Sequence, residues 1–178
     1  EKVKPLLQLR EKDQIYTAMA IAEVIHEWED TQPIIVSQLR NDLIEFIRKT
    51  FSQDEIQAID ELFNLLTISK TDDIMNVVGK LEQMSRSPND FVRTAAARNV
   101  LLLSKRLPEK TLDFMLNFSD SSQRENVRRP IAKEQSIKFL CKMVANRTYK
   151  EKAERILHRL IVDPDKIIRV TTFDMAES

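Results

Sequence analysis

The chain has 178 residues, enough for a sizeable core, and its 42% apolar and 31% charged residues suit an ordered globular protein. Its 28 basic and 28 acidic residues cancel, and Gly79 is the only glycine. That single glycine excludes glycine-rich nucleotide loops and the nucleophile elbow of hydrolases. It also disfavours sheet-rich folds, whose tight turns need glycine.

Apolar residues recur at helical spacing along the whole chain. The pattern predicts about ten helices, at residues 2–9, 12–29, 33–50, 53–68, 72–86, 88–106, 108–118, 130–146, 149–162 and 164–177. In the second of these, Glu23 and His26 have a spacing used in di-metal carboxylate bundles. A second such pair is missing, because Glu154 and His158 are four apart. His26 therefore reads as a solvated or hydrogen-bonded surface histidine, and no metal or other cofactor is expected. Trp28 ends the same helix after an acidic run and reads as a cap on the local core.

Val36, Leu39, Leu43, Phe46 and Ile47 form one apolar stripe, and Ile56, Ile59, Phe63 and Leu66 form the next. Each must be buried against another helix. Ser52-Gln53-Asp54-Glu55 reads as a capping box. Thr71-Asp72-Asp73 places a cap and two acids at a helix start. Ser87-Pro88-Asn89-Asp90 reads as an N-cap followed by proline at the first helical position, and Asp163-Pro164-Asp165 repeats that signal. Residues 119–129 read as the longest loop. Cys141, close to Leu140 and Met143, reads as a small buried apolar residue. As the only cysteine it permits no internal disulfide and no cysteine-based zinc cluster. With no apolar run of membrane-spanning length and no signal peptide visible, the expected location is intracellular, cytoplasmic or nuclear.

An internal repeat is the strongest signal. Leu81, Met84, Ser87-Pro88 and Phe91-Val92-Arg93 match Leu157, Leu160, Asp163-Pro164 and Ile167-Ile168-Arg169, every pair 76 residues apart. An imperfect copy lies between them at Glu125-Asn126-Val127-Arg128. Asp90-Phe91-Val92-Arg93-Thr94-Ala95-Ala96-Ala97, followed by Val100-Leu101-Leu102-Leu103, resembles the second helix of a HEAT repeat. The resemblance is good over residues 81–105, fair over 157–173 and weak elsewhere. It implies a right-handed α-solenoid of stacked antiparallel helical hairpins. It also implies that Arg93 and Arg169 pair with turn acids of a neighbouring unit, with Asp90, Asp163 and Asp165 available. Residues 1–178 read as one such domain, a fragment of a longer chain.

Charge is unevenly spread: residues 1–89 hold 10 Lys+Arg against 16 Asp+Glu, and residues 90–178 hold 18 against 12. Arg98, Lys138, Lys142, Arg155 and Arg159 are the candidate partner-binding residues, on helical faces opposite the apolar stripes. Such a face suits an acidic segment of another protein. The expected function is accordingly a non-enzymatic protein-interaction or scaffold module. The alternative is nucleic-acid binding through the basic half, since some HEAT-like proteins are glycosylases of alkylated DNA bases. Zero net charge and poor aromatic interleaving weigh against it.

Overall fold

A computed structural model describes residues 11–71 and 73–176 of the chain. The helix expected at residues 2–9, and Asp72 of the cap at residues 71–73, lie outside them. Among the described residues the structure is all-helical, with no strand. Its contacts form two compact units, Glu1–Asp73 and Ile74–Ser178.

The first unit contains α1 (Glu11–Trp28), α2 (Pro33–Thr50) and α3 (Gln53–Ser69). Proline opens α2, where its missing N–H costs nothing. At the start of α3 the Ser52 amide donates to the Glu55 carboxylate at 2.9 Å, so the expected capping interaction is present. Helix α1 packs on both α2 and α3 and is buried along Ile15, Ala18, Met19, Ala22 and Ile25. Val36, Leu43 and Ile47 of α2 meet this core, as do Ile59, Leu62 and Leu66 of α3. Burying one such side chain contributes about 1.5–3 kcal/mol, which offsets the entropy of ordering it. Trp28, at the end of α1, is 46% exposed, so about half of it is covered and half faces solvent.

The second unit contains α4 (Ile74–Ser85), α5 (Asp90–Asn99), α6 (Pro108–Phe118), α7 (Glu125–Arg128), α8 (Glu134–Val144), α9 (Lys150–Ile161) and α10 (Lys166–Ala176). The long helix expected at residues 88–106 is α5 followed by a 3-10 segment, Val100–Leu103. That expected at residues 130–146 is interrupted. A 3-10 turn, Arg129–Ala132, holds Pro130, Lys133 is extended, and α8 begins after it. Pro130 has no N–H to give to a continuous helix, so the chain turns tightly and restarts. The expected loop at residues 119–129 is shorter, because α7 occupies its end.

Helix α5 packs on α4, α6 and α7, and its Ala95, Ala96 and Ala97 are buried. Small side chains permit that close approach on several sides. Helix α9 packs on α6, α8 and α10, and buries Ala153, Ile156 and Leu160. Phe114 and Phe118 of α6 stack with centroids 6.3 Å apart.

Candidate functional site

The two matched turns adopt the same hydrogen-bond pattern. Asn89 Oδ1 accepts from the Phe91 amide at 2.9 Å, and Asp165 Oδ1 accepts from the Ile167 amide at 2.8 Å. Two residues earlier, Ser87 Oγ accepts from the Asn89 amide at 3.2 Å, and Asp163 Oδ1 from the Asp165 amide at 2.8 Å. The caps are therefore Asn89 and Asp165, two residues later than the sequence suggests. Ser87 and Asp163 instead hold the turn that carries each proline.

The Val-Arg arginines close these turns. Arg93 Nη1 donates to the Ser87 carbonyl at 2.5 Å, and Arg169 Nη1 donates to the Asp163 carbonyl at 2.5 Å. Arg93 also pairs with Asp90, three residues before it in its own helix. Burial, and then the nearby Arg124, lower the pKa of the Arg93 guanidinium from its ordinary value. The expectation that Arg93 and Arg169 reach acids of a neighbouring unit is therefore corrected. A guanidinium one turn into the helix lies close enough to bond the carbonyls of its own entering turn.

Other arginines make the longer-range pairs. Arg124 reaches Asp90 at 2.7 Å, and Arg129 reaches Asp165 at 2.9 Å. Arg128, only 5% exposed, reaches Asp163, only 3% exposed, through Nε at 2.8 Å and Nη2 at 3.1 Å. Its Nη1 also donates to the Gln123 carbonyl. The imperfect copy at residues 125–128 thus supplies the buried link. A second row of charges joins α4, α6 and α9. Lys110 lies 3.6 Å from Glu82, and Lys152 lies 2.6 Å from Asp113. The Asp113 hydrogen bond is the largest cause of a raised Lys152 pKa; burial opposes it, and the charges of Asp113 and Glu109 add to the rise.

The five candidate partner-binding residues fare differently. Arg159 donates to the Leu116 carbonyl at 2.8 Å and lies 3.4 Å from Asp120, so it braces α9 against the end of α6. Arg98 is half-buried in the last turn of α5. Lys138 is exposed and pairs with Glu134 at 2.5 Å, one turn back on α8. Lys142 and Arg155 are exposed, on α8 and α9. Lys138 and Lys142 share a solvent-facing side of α8 with Cys141, and that thiol is exposed. The buried stripe of α8 is Ser136, Ile137, Leu140 and Met143, and Cys141 falls outside it, contrary to the sequence reading.

In the first unit, His26 Nε2 lies 3.3 Å from Ser69 Oγ. Burial first, and Lys70 second, lower the imidazole pKa. Lys70 approaches Glu29 at 3.2 Å, and Arg40 holds the same carboxylate at 2.6 Å. These contacts join the C-terminal ends of α1 and α3 and the first half of α2. Among the described residues no group of three or more His, Cys, Asp or Glu side chains could hold a metal ion. No helix among them is long and apolar enough to cross a membrane. Comparison with family models, with curated proteins and with solved structures finds no match to this chain.

Proposed function

We propose that the chain is a non-enzymatic protein-interaction module whose second unit is a short, right-handed, HEAT-like α-solenoid. The observation that carries this reading is the repeated turn with its arginine–aspartate links. Turns 76 residues apart share the same internal bonds, and the intervening copy joins to the later turn through Arg128–Asp163. Helical units that repeat a turn can stack on their neighbours into a solenoid, and such stacks present extended surfaces to partners. The partner surface is the exposed basic side of α8, with Lys138 and Lys142, and Arg155 on α9. The partner is an acidic segment of another protein.

The test compares wild type with Lys138→Glu/Lys142→Glu in a pull-down from native extract, followed by titration of the recovered partner. A protein held by wild type and weakened about tenfold or more by charge reversal supports the reading. Equal retention by both forms overturns the basic surface. Recovery of nucleic acid that nuclease or moderate salt removes would replace the acidic segment with a phosphate backbone.

A further inference from the structure

In the first unit a groove of about 440 Å³ runs between α2 and α3. Its apolar surface is Ile44 and Ile47 from α2 and Ile56 and Phe63 from α3. The lining follows one face of each helix. It runs from Arg40 to Arg48 on α2, about 12 Å at about 1.5 Å per residue. On α3 it runs from Ile56 to Thr67, about 16 Å by the same rise. A trough of that length between two helices receives two to three turns of a third helix, with apolar anchors at helical spacing.

The walls carry opposite charges. The unit Glu1–Asp73 has 8 Lys+Arg against 15 Asp+Glu, yet two arginines line the α2 wall. Arg40 is engaged by Glu29 at 2.6 Å. Arg48 is exposed on α2 and Asp60 is exposed on the facing wall of α3. Neither Arg48 nor Asp60 makes an ion pair among the described residues.

We infer that this groove docks an amphipathic helix of a partner protein, its apolar stripe on Ile44, Ile56 and Phe63, with the buried Ile47 forming part of the floor. A carboxylate on one edge of that helix meets Arg48, and a cation on its other edge meets Asp60. The two charges fix the direction in which the helix lies, because a reversed edge would oppose like charges. The groove belongs to the first unit and the basic side of α8 to the second, and the inference does not depend on the function proposed for the latter.

The test selects binders from a displayed library of amphipathic helical peptides on the full chain, with Phe63→Glu as counter-target. Circular dichroism establishes that the counter-target is folded. The expected winners carry an apolar stripe, acids along one edge and bases along the other. The best of them should lose about tenfold or more in affinity on the surface charge swap Arg48→Glu/Asp60→Lys, and regain it when its own edges are exchanged. Absence of enrichment over the counter-target overturns the proposal, as does indifference to the charge swap. Sedimentation of the full chain supplies the remaining arm. A concentration-dependent dimer abolished by the swap would give the groove to a second copy and overturn the proposal.

Discussion

Replacing Arg128 with methionine keeps an unbranched apolar stem, shorter than that of arginine, and removes the guanidinium and its charge. Asp163 would then remain 3% exposed without its two guanidinium bonds at 2.8 and 3.1 Å. Breaking one side of a buried ion pair costs about 3–5 kcal/mol, because the remaining charge is neither paired nor hydrated. In urea, with a slope of about 2 kcal/mol per molar, that lowers the midpoint of the second unit by about 1.5–2.5 M. Far-UV circular dichroism across a urea series measures it. Arg128→Met/Asp163→Asn should recover a large part of the loss, since the amide keeps an acceptor for the Asp165 amide and needs no counter-charge. The reasoning fails if the single variant shifts the midpoint by less than about 0.5 M, the equivalent of about 1 kcal/mol. It also fails if the double variant falls by the full sum of both single losses.

Two further outcomes are expected. Gly79 is exposed within α4, without positive φ and with open space where a Cβ would stand. Gly79→Ala should therefore raise stability by about 0.5–1 kcal/mol through the unfolded chain, and a lower melting temperature would refute this. The His26 imidazole has its pKa below 6.5 in the folded state, so the unfolded chain takes up the proton first as pH falls. The first unit should be most stable above pH 6.5 and lose stability as pH falls from there toward the lowered folded value. Fluorescence of Trp28, the only tryptophan, follows that unit in urea. His26→Gln should flatten the slope in this window, and an unchanged slope would remove His26 as its cause.

Helices were legible wherever an apolar stripe and a cap agreed. Residues 33–50 and 108–118 match α2 and α6 because a proline marks each start and the stripe then runs to the end. Pro130 misled because it sits in a 3-10 turn and does not open the following α-helix. The repeat was legible in its spacing, but the partners of its charges were not. A sequence states that an arginine and several acids are available, whereas reach is decided by the turn each side chain stands beside. Arg93 and Arg169 close their own turns. Arg128 was visible only as part of an imperfect copy, and nothing in its spacing marked it for burial. Cys141 was misplaced for a related reason. Its apolar neighbours in sequence, Leu140 and Met143, belong to a stripe that it does not share. The groove between α2 and α3 had no signal beyond two ordinary stripes, because it depends on how far apart two helices lie after both have packed on α1.

The links in the second unit join turn side chains and not only core side chains. Asp163 receives Arg128 from 35 residues earlier and Asp165 receives Arg129 from 36 residues earlier. The matched positions of the earlier turn are Ser87 and Asn89, so the buried charge belongs to the later joint while the bonds inside the turn belong to both. An added copy at that joint would have to bring its own acid for the arginine before it, because the bonds inside the turn repeat and its charges do not.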